Sequence, residues 1–347
     1  MQQPLITVVM PVRNEGGFIE RSLGSVLAQD YPGDRLEVIV ADGMSTDTTR
    51  EVIGRLAGSR ADVRLVDNPR QIVATGLNLA LREARGDVIV RVDGHTIIAP
   101  DYVRNCVRAL TSTDAENVGG RMTPVGQSGF GQAVAAATSS RFGVGGARFH
   151  YSTIREWVDT VYLGAWRRDL FSRIGNFDEE MVRNQDDEFN YRLRAHGGTI
   201  LLDPAIKSEY YNRSTPWSLW KQYFQYGFWK VRVLQKHPRQ MQPRQFIPGL
   251  FVLTLILLLL AIPIVSLSKF LILGSALAYL IANLSASVLT AIKSGCSLSV
   301  LPFVPVAFAI VHFAYGCGFL LGVFRFWNSW EFVRRTNVVQ PSHDMSS

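Results

Sequence analysis

The segment 184–198, NQDDEFNYRLRAHGG, sets three acids in a row, Asp186, Asp187 and Glu188, ahead of Arg192, Arg194 and His196. Carboxylates this dense can take a proton from a hydroxyl, hold a cation, or complement a helix dipole. The order of charges fits the last: Asn184 stands at a cap position, the acids fill a first turn, and the bases precede Gly197 and Gly198. That reading leaves the mutual repulsion of three neighbouring carboxylates unanswered. They require a cation, a basic ligand or solvent, and both readings stay open here.

A second set of chemically capable residues recurs after short β-branched runs. LITVVMPV is followed by Asn14 and Glu15, LEVIVAD ends on Asp42 before Gly43, VRLVD ends on Asp67 before Asn68, and DVIVRVD ends on Asp93 before Gly94 and His95. Any one of these is an ordinary turn residue. Four in succession make an edge of acids and amides suited to a polar ligand. Neither GxGxxG nor GxxxxGK[ST] occurs, so the chain carries no dinucleotide fingerprint and no phosphate loop.

The elements that must position these residues follow from periodicity. Helical patterns over 18–28, 48–56 and 74–84 alternate with the strands. Strand alternating with helix predicts an α/β fold with parallel pairing and right-handed crossovers, and in such sheets ligands bind beyond the carboxyl ends of the strands.

The 347 residues are 47% hydrophobic, and the surplus lies at the end. Stretches 246–265, 270–292 and 300–324 are each about twenty residues or more, the length that crosses a bilayer. Lys269 is the one charged residue between Phe246 and Ile292. The opening MQQPLITVVMPVRNE lacks the basic leader of a signal peptide, which keeps the sheet domain in the cytoplasm. Lys221, Lys230, Arg232, Lys236, Arg239 and Arg244 precede the first apolar stretch, as the positive-inside rule expects of a cytoplasmic flank. The same cluster explains the net charge of +7 by attraction to anionic membrane lipids, with no need of nucleic acid. Three crossings from that start place Arg325, Arg334 and Arg335 outside, against the rule. Cys106, Cys296 and Cys317 form no disulfide framework or metal motif.

The pieces PVRNE, ADGMSTDTT, NPRQIVATGLNLALREARGDVIVRVDGH, VDTVYLGAWRRDLFSRIGNFDEE and NQDDEFNYRLR, in that order over roughly residues 4–215, resemble family two glycosyltransferases, most of all the bacterial succinoglycan-biosynthesis type. The resemblance implies a GT-A fold: a doubly wound, mostly parallel sheet followed by transmembrane helices. It implies a cytoplasmic catalytic domain over 1–213, an amphipathic interfacial segment over 214–245, three membrane helices over 246–325 and a polar tail over 326–347, the whole in the inner membrane. The donor is then a nucleotide-diphosphate sugar, UDP-hexose in the first instance, and the acceptor a polyprenyl-diphosphate-linked saccharide.

Carried over by residue, Pro11, Asn14, Glu15 and Asp42 would hold base and ribose, with Asn78 closing over them. Asp93 and His95 stand where the family has an Asp-x-Asp motif and would bind Mg²⁺ or Mn²⁺. His95 departs from the pattern, and an imidazole suits Mn²⁺ better; bonding to a backbone carbonyl or phosphate is its other reading. Asp186, in a Gln185–Asp186 pair where the family has Glu-Asp, would be the catalytic base. The processive motif QxxRW is absent from both 222–226 and 225–229, which favours addition of a single sugar. Two rivals are an enzyme that glycosylates polyprenyl phosphate, and a non-catalytic protein that binds nucleotide sugar or lipid.

Overall fold

The computed structural model describes residues 3–58 and 60–329. In chain order the elements are β1 (Ile6–Val12), α1 (Ile19–Leu27), β2 (Leu36–Asp42), α2 (Thr49–Ala57), β3 (Val63–Asp67), α3 (Val73–Glu83), β4 (Val88–Arg91), β5 (Thr96–Ile98), α4 (Tyr102–Ser112), β6 (Asn117–Val125), α5 (Gly129–Thr138), α6 (Arg141–Val144), β7 (Glu156–Trp157), β8 (Tyr162–Arg167), α7 (Asp169–Ile174), α8 (Gln185–Ala195), β9 (Ile200–Tyr211), α9 (Pro216–Lys236), α10 (Ile247–Ala261), α11 (Leu267–Ser294) and α12 (Val304–Arg325). The strand order is β3-β2-β1-β4-β8-β6-β9-β5, with β7 on β9.

The first half of the sheet is parallel, β3-β2-β1-β4, because each of its strands is joined to the next by a helix. Beyond β4 the sheet turns mixed: β8 runs antiparallel to β4 and β6, while β9 runs parallel to β6. β1 and β2 are apolar on both faces because both are covered. Val8, Met10, Val38 and Val40 pack on α1, α2 and α4, whereas Val9, Ile39 and Ala41 pack on α3, α7 and α8. This two-sided burial holds the strand ends of the parallel half as a rigid edge.

The apolar tail departs from the expectation of three crossings. α11 and residues Leu301–Arg325 are long and apolar enough to span a membrane. α10 has 15 residues, which at 1.5 Å each reach about 22 Å, short of the ~30 Å hydrocarbon core. It ends at a turn near Pro263 and packs beside α12. Arg334, Arg335 and the rest of 330–347 lie outside the described residues.

Nor is the tail separate from the sheet domain. α9 and α12 lie side by side along their length: Leu219 clusters with Phe308 and Val311, Gly227 meets Tyr315 and Phe319, and Gln235 Nε2 donates to the Phe326 carbonyl at 2.6 Å. Glycines permit the approach. A Cβ on Gly318 would overlap the Phe224 carbonyl, and one on Gly227 the Tyr315 carbonyl. Val304, Ala307, Phe308 and Val311 of α12 form one core with Ala133, Val134 and Ala137 of α5. The outer faces of α10 and α11 stay bare, with Leu260, Leu273 and Ile292 largely exposed.

Candidate active site

Alternation along a strand puts residues two apart on one face, and at the end of β4 this pairs Arg91 with Asp93. Arg91 Nε and Nη2 donate to the two carboxylate oxygens of Asp93 at 2.8 and 3.0 Å. Burial works against the Arg91 charge, but Asp93 and Asp186 more than offset it, and the guanidinium stays protonated. Two residues on, His95 Nδ1 donates to Glu15 Oε1 at 3.0 Å. That bond joins the end of β4 to the end of β1, fixes the tautomer, and leaves Nε2 with no protein partner among the described residues.

The acid cluster of α8 is resolved by setting each carboxylate near a different basic group. Asp186 lies in the field of Arg91 of β4. Asp187 Oδ2 accepts from Lys230 Nζ of α9 at 2.5 Å. Glu188 accepts from Arg192 at 2.9 and 3.0 Å and from His237 Nε2 at 3.0 Å. Burial pushes Glu188 up, yet the bonds from His237 and Arg192 prevail and hold it below the usual carboxylate range. Asn184 does occupy the cap position, but with φ 61° it makes no side-chain cap; its Nδ2 donates to the Tyr226 carbonyl at 2.9 Å and binds α8 to α9.

Asp186 differs from its neighbours. Burial raises its pKa, Asp187 and Asp93 add to the rise, and Arg91 and the Asp187 N–H bond offset it only in part. A carboxylate made more basic in this way is a better proton acceptor. It follows that the acid limb of kcat/KM should lie above the ordinary carboxylate range, with activity lost as pH falls through the Asp186 pKa. Asp187→Asn removes a like charge and leaves Lys230 uncompensated, so the limb should move to lower pH. A pH–rate comparison of the two proteins checks this, and an unmoved limb would assign the titration to another group.

These residues share a cavity of about 1250 Å³ whose wall includes Pro11, Asn14, Glu15, Asp93, His95 and Asp186. Two expected donor contacts are placed elsewhere. Asp42 is 0% exposed: it accepts from Ser45 N at 3.0 Å and Oγ at 2.5 Å and from Arg50 at 2.7 Å, and Arg50 also takes Asp67. It shapes the turn after β2, and Ala41, Gly43 and Asn68 form the wall there instead. Asn78 is buried and spends its amide on the Phe177 backbone, donating at 2.9 Å and accepting at 3.0 Å, so it staples α3 to the loop before α8. Both carry hydrogen-bonding capacity that the scaffold uses up.

Other wall residues escaped the sequence reading. Gln222 Nε2 donates to Tyr210 and Tyr226 hydroxyls at 2.9 Å each, and the Tyr210 ring lies 5.2 Å from that of His95. Arg91 had a usable signal, its two-residue spacing from Asp93; Lys230 and Gln222 had none. The segment 214–245, expected at a membrane interface, contributes Gln222 and Lys230 to the wall of the cavity. Its basic cluster is largely internal: Lys230 pairs with Asp187, Arg232 with Glu180, Lys236 with Asp178 and Arg244 with Asp159.

The fold is that of the GT-A glycosyltransferases. Mannosyltransferase PcManGT from Pyrobaculum calidifontis, solved in complex with GDP-Man and Mn²⁺, superposes with a TM-score of 0.57 over 92% of this chain and 88% of its own, at 23% identity. Residues 7–174 match the model of Glycosyl transferase family 2. Succinoglycan biosynthesis protein ExoA of Rhizobium meliloti (strain 1021) is 33% identical over 232 residues, 66% of this chain and 70% of that protein. A dolichyl N-acetyl-alpha-D-glucosaminyl phosphate 3-beta-D-2,3-diacetamido-2,3-dideoxy-beta-D-glucuronosyltransferase of Methanococcus voltae is 26% identical over 239 residues, 67% and 74% of the two chains. The chain belongs to glycosyl transferase family 2 and is a glycosyltransferase.

Proposed function

We propose that the protein is an inverting transferase that moves a sugar from a nucleotide-diphosphate donor, UDP-hexose in the first instance, onto a hydroxyl of a lipid-linked saccharide at the cytoplasmic face of the inner membrane. One observation carries this reading. The cavity that holds Asp93, His95 and Asp186 continues without a break to Pro248 and Phe251 of α10, Tyr279 of α11 and Val311 and Tyr315 of α12. A polar end suits donor and sugar, and an end lined by Ile247, Pro248, Phe251 and Val311 suits an isoprenoid chain. The relatives named for succinoglycan biosynthesis and for transfer to a dolichyl-linked sugar support the same class of acceptor.

In the reaction, Asp186 takes the proton from the acceptor hydroxyl as that oxygen bonds to the anomeric carbon, and the bond from that carbon to the donor diphosphate breaks on the opposite side. Arg91 holds Asp93 in place and adds positive charge near the leaving group. Polyprenyl phosphate itself would need no base, and the raised pKa of Asp186 favours a neutral hydroxyl acceptor.

A divalent cation fits the residues present. Among the described residues no group of three or more His, Cys, Asp or Glu is gathered; Asp93, whose oxygens face Arg91, and His95 Nε2 would be the protein's ligands, and donor phosphates with water would complete the set, as they do for small hard cations. The Glu15–His95 bond is the orienting contact that metal-bound histidines use. The ion, Mg²⁺ or Mn²⁺, would neutralise charge on the leaving diphosphate. Asp93→Ala should abolish transfer, and Glu15→Gln should weaken Mn²⁺ binding in the presence of UDP by about 10- to 100-fold, read by paramagnetic resonance. Full transfer by Asp93→Ala in EDTA would remove the ion from the reaction. The function as a whole is tested by mass analysis of labelled lipid products from purified protein given UDP- and GDP-sugars; donor binding with no product on any lipid acceptor would overturn it.

A further inference from the structure

A second groove, about 660 Å³, lies against the active-site cavity and shares Arg141, Gly145, Asp159 and Arg244 with it. Nothing in the proposed reaction uses its outer end. There Trp157, on the edge strand β7 opposite Leu201 of β9, is 57% exposed although the sheet around it is buried. Tyr151 lies in the same groove with the Arg141 guanidinium 5.4 Å from its ring centre. At the junction, Asp159 Oδ2 accepts from Arg244 at 2.7 Å and from Gln242 at 3.2 Å, which sets a carboxylate, a guanidinium and an amide in fixed positions.

A tryptophan face held open beside prearranged polar groups is the chemistry that recognises pyranose rings: their C–H faces lie on the aromatic ring, and their hydroxyls bridge acid and amide. The two acids of the groove are each paired, Glu156 with Arg148 and Asp159 with Arg244, so the polar groups stand in fixed positions beside the ring. From these observations we infer that the groove holds the saccharide of the acceptor, seating one or more sugars behind the reacting one, with Trp157 as the stacking platform and Asp159, Gln242 and Arg244 as the hydrogen-bonding rail. The inference rests on the acceptor being a saccharide, as proposed above. It adds that the enzyme measures acceptor length.

The test uses the full chain in detergent and free glucans as probes: glucose, maltopentaose, cellopentaose and laminaripentaose, with binding read by saturation-transfer NMR. At least one pentasaccharide should bind where glucose does not, Trp157→Ala should weaken it about tenfold or more, and Trp157→Phe should retain it. Because Trp157 is exposed, the alanine variant should fold, and its melting temperature shows whether it has. UDP titrated into the wild-type protein reports on the donor site separately, so failure of the donor reading appears there and failure of the groove appears only with the pentasaccharides. Absence of binding by all three pentasaccharides, or equal binding by Trp157→Ala, would overturn the groove. So would a loss by Trp157→Ala of binding to phosphatidylglycerol vesicles with no change toward the glucans, which would make Trp157 a membrane anchor.

Discussion

Asp186→Asn is expected to cut single-turnover transfer by on the order of 10²- to 10⁴-fold with donor affinity nearly unchanged. The amide keeps the size of the side chain and its bond from the Asp187 N–H, but it cannot receive a proton. Asp186 is the one acid of the α8 cluster with no direct ion pair among the described residues; Asp187 and Glu188 are each tied to a base. Substituting Asp187 should therefore be felt in stability and in the pH limb, and substituting Asp186 in the chemical step. Rates and UDP binding measured on both variants with one lipid acceptor separate these outcomes. An Asp186→Asn enzyme within a fewfold of wild type would end its assignment as base and favour an acceptor that is already anionic.

Removal of residues 245–347 is expected to leave no soluble, donor-binding protein. The sheet domain looks self-sufficient in sequence, with its own apolar strands and helices. In the structure α12 is half of a core it shares with α5 and α9, through Val304, Ala307, Phe308 and Val311. Uncovering that core forfeits about 1.5–3 kcal/mol for each large side chain, a loss comparable with the 5–15 kcal/mol that holds a typical domain together. Gly318→Leu poses the same question without truncation, since the Phe224 carbonyl leaves no room for a side chain. It should separate α9 from α12 and so disturb Lys230 and Tyr226, both of which hold α8. Size-exclusion chromatography and UDP binding decide the matter. A monodisperse 1–244 fragment that binds UDP like the full chain would show that the tail only anchors.

Much of the catalytic domain was legible without coordinates. The four parallel strands, helices α1 to α3 and the placement of Asn14, Glu15, Asp93 and His95 at strand ends follow from runs of apolar residues with turn residues behind them, because strand and helix periods are local properties. The mixed continuation through β8, β6 and β9 was not legible. Its strands pair over distances no period records, and β6 with its successive glycines lacks a clear alternation.

The candidate site divides the same way. Residue type and position alone made Asp93, His95 and Asp186 chemically capable and placed apolar segments at the end of the chain. Tertiary structure decided what each group does. It spent Asp42 on Arg50 and Asn78 on Phe177, gave Glu15 to His95, divided the α8 acids among Arg91, Lys230, Arg192 and His237, and pressed α12 into the wall of the cavity. The physical reason is that a carboxylate's affinity for a cation depends on the few ångströms between them and not on their separation in sequence. Apart from Arg192, which lies one turn from Glu188 in the same helix, the partners of these groups are 8 to 99 residues away, and only the packed sheet and helices bring the two within hydrogen-bonding reach.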